Sequence, residues 1–423
     1  MKPFIHEQDL PFHAQEIIQS ALQAADPWDG VVDVLNREDQ PQPTHLLAIG
    51  KAALRMTEAA LSTGLCLKKC LVITKEGHTA STVTSDLRVR FKSDLEIVES
   101  AHPVPDERSL MAAEKALALA QSLDEKDHLL LLISGGGSAL VEAPIPGMDL
   151  TLLQKLTQKL LAAGADIHEI NAIRKHFSKI KGGRLAQVAA PASITQILLS
   201  DVLGDPPDVI ASGPATADRS TCAEVRTLLQ RYAPTLLLPP FEETPKQLPQ
   251  VRTFIRGSVR QLCQRAQQVA EFLGYRTLFL SDQLNLEARE AGRFLAQIAR
   301  AHLEDGPLAI ICGGETTVTL KGSGKGGRNQ ELALSASSLL PPQSLLFSLG
   351  SDGSDGPTDA AGAMVTAQTW QSIPQAQEAL DRNDSYTVLD QAHALIRTGP
   401  TGTNVNDLTV LLIASPQSAS PRD

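Results

Sequence analysis

Several things are scarce in this chain, and each scarcity excludes a class of function. Five cysteines in 423 residues (Cys66, Cys70, Cys222, Cys263 and Cys312) form neither C-x-x-C pairs nor a disulfide-type spacing. They read as small buried hydrophobes in a reducing cytoplasm, which is the expected location. No apolar run approaches the roughly 18 residues that a membrane span needs. The N-terminus, MKPFIHEQDLPFHAQE, has no apolar stretch of the signal-peptide kind. Neither a membrane nor export is therefore expected. Positive charge is also short: 38 Lys and Arg stand against 48 Asp and Glu, a formal net charge of −10. A nucleic-acid binder would show the opposite balance. Finally, G-x-x-x-x-G-K-[ST] does not occur, so the chain is not a Walker-A nucleotide hydrolase.

What is present is the composition of a soluble globular protein, 42% hydrophobic and 20% charged. The length suggests two to three domains. Short apolar runs alternate with longer amphipathic stretches. The strand candidates are His45–Ile49, Leu71–Thr74, Leu129–Ile133, Ile194–Leu199, Thr253–Ile255, Thr277–Leu280, Leu308–Cys312, Leu345–Leu349 and Thr409–Ile413. Between them lie helical patterns such as Ala52–Leu61, Ser109–Leu123, Leu150–Ala163 and Glu287–Leu303. Such alternation predicts an α/β fold with mainly parallel sheets. LLLLI at 129–133 is apolar on both faces, as a central parallel strand should be. One segment breaks the rhythm: 233–250, with five prolines and no periodicity. It reads as an inter-domain connection or as a long surface loop. The expected division is a Rossmann-like α/β domain over 1–235, a proline-rich connection over 236–250, and a second α/β domain over 251–423.

Many of these strands empty into small and charged residues, where open α/β sheets bind their ligands. If the two sheets face each other, these ends line a cleft between domains. GGETTVTLKGSGKGGRNQE, residues 313–331, packs six glycines, two lysines and an arginine into nineteen positions directly after an apolar strand. Glycine lets backbone N–H groups approach a ligand while the cations supply charge, so an anionic, phosphorylated ligand is expected there. Ser134-Gly135-Gly136-Gly137-Ser138 is a strand-to-helix turn of the same kind, or simply a tight turn. Lys51 opens a helix after the first strand, where a cation opposes the helix dipole; it reads as a phosphate or carboxylate ligand, or as a solvated lysine. Asp201 and Asp352 come directly off strand ends and suit Mg²⁺. Asp208, Asp355 and Asp359 read instead as turn formers. NAIRKHFSKIKGGR at 171–184 concentrates cations. Arg174 and Lys181 fall on different helical faces and are expected to act separately, against a background of solvated basic surface. Among the histidines, only His102 sits in a turn close to a strand end. Gly322-Ser-Gly324-Lys-Gly-Gly327 matches G-x-G-x-x-G literally but lacks an acidic partner about 20 positions on, so the dinucleotide fingerprint is weak.

Taken together these blocks closely resemble the class II glycerate kinases, whose C-terminal region is the MOFRL family. The matching stretches are IGKAA (49–53), SGGGSAL (134–140), INAIRKHFSKIKGGRLA (170–186) and LLSDVLGDPPDVIASGP (198–214). They continue with GGETTVTLKGSGKGGRNQE (313–331), GSDGSDGPTDAAGA (350–363) and RTGPTGTNVNDL (397–408). They stand in the family's order and span nearly the whole chain. One departure is Gly257-Ser-Val259, where family members tend to carry asparagine after the serine. The resemblance implies transfer of the γ-phosphoryl of ATP to D-glycerate, usually at the 2-hydroxyl, with Mg²⁺ and an active site in the cleft of two α/β domains. It makes Lys51 and Arg328 key active-site residues. The physical reading adds Ser134–Ser138 and Gly313, Gly314, Glu315 and Thr316 as holders of the phosphate or nucleotide. Arg174 and Lys181 are candidates for the substrate carboxylate, Asp201 for the base, and Asp201 with Asp352 for the metal. A small-molecule substrate is expected, with either a monomer or a homodimer. The competing readings are an NAD(P)H-dependent hydroxypyruvate reductase, a label also given to family members, and a non-catalytic binder of sugar phosphates or nucleotides.

Overall fold

The structure is a computed structural model that describes residues 4–77 and 95–416. Its contacts divide the chain into two compact units. Pro27–Arg256 forms one; the described parts of Met1–Asp26 and Gly257–Asp423 form the other. One boundary, Arg256/Gly257, lies just past the proline-rich stretch, and the residues up to Asp26 join the C-terminal unit. Leu236, Leu238 and Phe241 pack onto the core of the first unit beside Leu156, Leu160, Ile170 and Phe177. The Phe241 ring lies 5.0 Å from that of Phe177. Apolar residues between the prolines thus pack, partly buried, on this core rather than span a gap.

The unit 27–256 is built on six strands: β1 His45–Ile49, β2 Lys69–Lys75, β3 Leu95–Ser100, β4 His128–Ile133, β5 Ser193–Leu198 and β6 Val251–Ile255. Their order is β3-β2-β1-β4-β5-β6, and every pairing is parallel. The central strands β1 and β4 are buried throughout, as their two-sided apolar sequences require. Helix Glu107–Gln121 turns Ala112, Ala113, Ala116 and Ala120 to this core, and its small residues let it lie close on the sheet. Asp106 caps it, accepting the Arg108 N–H at 2.9 Å. β3, LEIVES, is absent from the sequence-based strands: it lies at the sheet edge, its residues mostly half-exposed, and its two glutamates mask the pattern.

The other unit holds β7 Arg276–Leu284, β8 Leu308–Gly314, β9 Ser344–Gly350, β10 Gly362–Thr366, β11 Leu395–Ile396 and β12 Asp407–Ile413. Their order is β11-β10-β9-β12-β8-β7. The α/β class holds, but this sheet is mixed. Only β7 and β8 pair in parallel; the other four pairings are antiparallel. Apolar runs of this length carry no sign of strand direction, which is why the parallel expectation holds fully only for the first sheet. Helix Leu10–Ala25 belongs here and packs on helix Val259–Phe272. Thr403 Oγ1 ties it down by donating to the Ala25 carbonyl at 2.7 Å.

Four of the five cysteines are buried, as expected, but Cys66 is exposed. Among the described residues no helix is long and apolar enough to cross a membrane.

Candidate functional site

In the first unit, strand order reverses between β1 and β4, the place where open α/β sheets leave a crevice for a ligand. The two strands run side by side in register from His45↔Leu129 to Ile49↔Ile133. Their exits therefore meet. The Lys51 N–H donates to the Gly135 carbonyl at 3.0 Å, and the Ser134 N–H to the Ile49 carbonyl at 2.9 Å. The buried Ser134 Oγ accepts the Ala52 N–H at 3.0 Å. Ser134 is accordingly the rivet between the two turns. Gly50, at φ +135°, lies so close that a Cβ would stand 2.1 Å from Ser134 Oγ. The glycines that follow make room for charged side chains. A Cβ on Gly135 would lie 2.0 Å from Asp201 Oδ2, and one on Gly136 (φ +84°) 3.0 Å from the His102 ring and 3.3 Å from Lys51 Cε. Lys51, His102 and Asp201, from three different loops, thus converge on one turn. Ser138 Oγ pairs with Ser212 Oγ at 2.9 Å, and Ser212 donates to Asn171 Oδ1 at 3.1 Å.

Behind this turn, Arg174 and Lys181 are neither solvated nor divided, whereas Lys179 is exposed. Arg174 Nη2 and Lys181 Nζ both donate to Glu142 Oε2, at 2.9 and 2.5 Å. Helix Ile167–His176 ends before Lys181, so helical faces do not govern where that lysine points. Arg174 also reaches the Ser138 carbonyl at 3.4 Å. Burial by itself would raise the Glu142 carboxyl, but Lys181 and Arg174 outweigh it and hold it low. Burial, helped by the nearby Arg174 charge, brings the Lys181 ammonium down to about 8 despite Glu142. Lys181 has no exposed surface. The expectation that it touches substrate is therefore corrected: it braces the turn. Lys175 is likewise buried, on Asp208 at 2.8 Å and Asp218 at 3.2 Å, so Asp208 is an ion-pair partner and not only a turn former. An open cavity of about 500 Å³ adjoins this pair, lined by Asn171, Lys175, Asp208 and Asp218 among others.

In the second unit the glycine-rich segment does something unexpected. Gly313 and Gly314 are strand residues of β8, paired with Leu408 and Asp407. A Cβ on Gly313 would meet Cys263 Sγ and Val259 at 2.5 Å, and one on Gly314 the Leu284 carbonyl oxygen at 2.2 Å. Their smallness serves packing. Further on, the Lys321 and Gly322 N–H groups donate to Asn383 Oδ1 at 2.7 and 3.1 Å, Gly324 to the Arg382 carbonyl at 3.0 Å, and Lys325 to Asp384 Oδ1 at 3.1 Å. Those donors bond the chain's own segment 382–384, not a ligand. The literal G-x-G-x-x-G is likewise engaged by its own protein.

Chemistry survives at the two ends of the segment. Arg328 opens helix Arg328–Ser337 and forms a fork on Asp407, with Nε to Oδ2 at 2.6 Å and Nη2 to Oδ1 at 2.9 Å. Its Nη1 donates to the exposed Glu315 at 3.0 Å. Burial works against the Arg328 charge, but Asp407 and Glu315 more than restore it, so the guanidinium is fixed as a cation. Asp355 is buried and caps the same helix from a distance, accepting the Asn329 and Gln330 N–H groups at 3.1 and 2.9 Å. Burial nevertheless pushes its carboxyl up to about 6. Its identification as a turn former is corrected to a helix cap. Asp352 accepts the Ser354 N–H at 2.9 Å. Around Gly350, Asp352 Oδ1 and Asp407 Oδ1 flank the same point, 3.4 and 3.6 Å from where a Cβ would sit. Thr316 Oγ1, next to Glu315, is buried without a hydrogen-bond partner. Asp359 bonds Tyr386 Oη at 2.6 Å and Arg397 Nε at 3.2 Å, again more than a turn former.

Sequence reasoning missed Asp407 and Glu142, read Asp355 as a turn former, and left His102 aside. Asp407 opens β12, and an aspartate directly before the apolar run LTVLLI was the available signal. His102 follows the edge strand β3 that went unseen.

With this geometry in view, the comparisons with known proteins are decisive. A family described as a domain of unknown function, DUF4147, matches residues 13–241, and the MOFRL family matches residues 308–407. The D-glycerate 2-kinase of Thermotoga maritima is 43% identical, over 95% of this chain and 97% of its own length. A protein of Agrobacterium vitis named as a candidate hydroxypyruvate reductase is 37% identical, over 94% and 93%. The crystal structure of a glycerate kinase from Thermotoga maritima superposes with a TM-score of 0.88 at 41% identity, over 96% of this chain and all of that one. These relatives make the chain an α/β phosphotransferase. The chain belongs to the glycerate kinase family that carries the MOFRL region.

Proposed function

We propose that this protein transfers the γ-phosphoryl group of ATP to D-glycerate at its 2-hydroxyl, giving 2-phosphoglycerate. The observation that carries the reading is the convergence of Lys51, His102 and Asp201 on Ser134–Ser138 at the switch point of the parallel sheet. Phosphoryl transfer asks for positioning and for positive charge on the transferring group, and for little covalent chemistry from the protein.

ATP supplies the phosphoryl group, and Mg²⁺ would neutralise charge on its phosphates when bound. The donor sets suit both. The Ser134–Ser138 turn would fill with Cβ atoms if it were not glycine. Asp352 and Glu315 offer the hard oxygens that Mg²⁺ takes, beside the unpartnered Thr316 hydroxyl. Asp201 is the other carboxylate at a strand end and would serve as metal ligand or as the base that takes the hydroxyl proton. We assign Lys51 and Arg328 to the phosphate charge, Ser134–Ser138 to the phosphate oxygens, and Arg174 to orienting the turn through Ser138. The proposed setting is the cytoplasm, which keeps the five cysteines reduced.

The test is an assay with purified protein, D-glycerate, ATP and Mg²⁺, followed by phosphorus NMR of the product. ADP and 2-phosphoglycerate are expected. 3-Phosphoglycerate would overturn the 2-hydroxyl assignment, and NADH oxidation with hydroxypyruvate in place of ADP release would overturn the kinase reading.

A further inference from the structure

A cluster of soft and hard donors takes no part in the phosphoryl-transfer assignments. His176, Cys222 and Glu243 place one ligand atom each within 4.8 Å of the others. His176 ends helix Ile167–His176, Cys222 begins helix Cys222–Tyr232, and Glu243 comes from the proline-rich stretch.

The histidine points to a ligand. It has no exposed surface. Its Nδ1 lies 2.9 Å from the Ala172 carbonyl. A carbonyl only accepts, so Nδ1 carries the proton and Nε2 presents its lone pair. That Nε2 is buried without a hydrogen-bond partner and stands 3.8 Å from Glu243 Oε2. A ring nitrogen held by a backbone carbonyl, with its other nitrogen turned toward a thiol and a carboxylate, is how proteins prepare a metal ligand.

We infer that His176, Cys222 and Glu243 form a Zn²⁺ site that clasps the proline-rich stretch onto the ends of two helices. The N, S, O set suits that borderline-soft ion, and three protein ligands leave the fourth tetrahedral position to water. With Zn–N at about 2.0 Å and Zn–S at about 2.3 Å, the donors must close to roughly 3.3–3.7 Å. Glu243 is exposed and can move. Its Oε1 accepts the Cys222 N–H at 2.7 Å, which keeps the carboxylate beside the thiol. Lys246 pairs with Glu243 Oε2 at 3.0 Å and would yield it, keeping its bonds to the Ser220 carbonyl and Thr244 Oγ1. As the metal–sulfur bond forms, the Cys222 thiol releases its proton to solvent.

The experiment uses the full chain, stripped with a chelator and titrated with Co²⁺ and then Zn²⁺. One Co²⁺ per chain should give a thiolate-to-metal charge-transfer band and tetrahedral d–d bands, both erased by Zn²⁺. Cys222→Ser should abolish the charge-transfer band, and Cys66→Ser, at the exposed cysteine, should leave it intact. Glu243→Gln, at an exposed position that does not threaten folding, should weaken Co²⁺ binding at least about tenfold. It should also remove the rise in melting temperature that Zn²⁺ gives the unaltered chain. Absence of the band, its survival in Cys222→Ser, or its loss in Cys66→Ser would overturn the site.

Discussion

Two glycine-rich segments look alike in this sequence and are built for opposite purposes. At Ser134–Ser138 the missing side chains admit charged groups from other loops: Asp201 against Gly135, and His102 and Lys51 against Gly136. In Gly313–Gly327 the missing side chains admit the protein itself. Gly322 and Gly324 lie on the Arg382 backbone, Gly326 on Ser385, and Gly327 on the Asp355 carboxylate. The first is a turn braced from behind by Glu142 and its two cations, and it is where the proposed function places the phosphate. The second is a seam with charged residues at its two ends, Glu315 and Arg328, which pair with each other. A run of glycines therefore says that something comes close, and only the structure says whether that is charged side chains from other loops or the chain's own backbone.

The brace behind the first turn is where the comparison breaks most readily. Lys181→Ala would leave the buried Glu142 with Arg174 alone, and removing one partner from a buried pair typically costs about 3–5 kcal/mol. Denaturant unfolding should register that loss. Arg174→Ala removes the partly exposed cation and the Ser138 contact. It should cost less stability and show instead in kcat. Equal stability losses would mean that the two cations are interchangeable and that the turn has no separate brace.

Next in size is the end of the second segment. Arg328→Ala should lower kcat by about 10²-fold or more, the scale of losing one such charge contact. Steady-state kinetics with saturating ATP and glycerate read it directly. Arg328→Lys keeps the charge but loses the fork on Asp407, and should fall between the two. Near-normal turnover in Arg328→Ala would reduce this whole segment to packing.

Much of this was legible in the sequence. Nine strands, the α/β class and the convergence of small residues at strand ends follow from apolar period and turn chemistry. What stayed hidden depends on pairing at long range. Lys181 reads as a surface cation until Glu142, 39 positions away, is seen beside it. Asp355 reads as a turn former because its capping of a helix that starts 27 residues earlier leaves no local pattern. The direction of β12 is silent for the same reason: an apolar run pairs equally well either way.

Asp355 yields a pH signature that would sharpen the contrast, since nothing comparable is buried in the first turn's own residues. Its carboxyl is displaced upward, from 3.8 to about 6, by burial, with Asp407 adding repulsion and the Asn329 and Gln330 N–H groups opposing. A raised acid binds more protons folded than unfolded. Its stabilisation is full below about 3.8 and is lost as pH rises toward about 6, a swing of about 3 kcal/mol. The stability of the unaltered chain minus that of Asp355→Asn should fall over that window and level off above it. A difference that rises with pH would mean the two N–H bonds dominate.

The smallest effects discriminate best. Gly327 has an extended backbone (φ −141°) that any residue adopts, so only space forbids a side chain there. A Cβ would stand 2.2 Å from the Asp355 carboxylate carbon, and that buried carboxylate is pinned by the helix N-terminus. Gly327→Ala should therefore expel the cap and lower stability by about 1–2 kcal/mol. Gly135→Ala meets the end of a side chain, Asp201 Oδ2, rather than a carboxylate pinned to a helix N-terminus, and displaces it. It should cost under about 1 kcal/mol in stability. Because it displaces Asp201 from the turn, kcat should fall, by less than the roughly 10²–10⁴-fold that a positioned general base contributes. Thermal melts and kinetics on the two alanine variants, side by side, test the distinction. If Gly135→Ala melts early and turns over normally, the Ser134–Ser138 turn is a packing seam too, and the site must be sought elsewhere along β1 and β4.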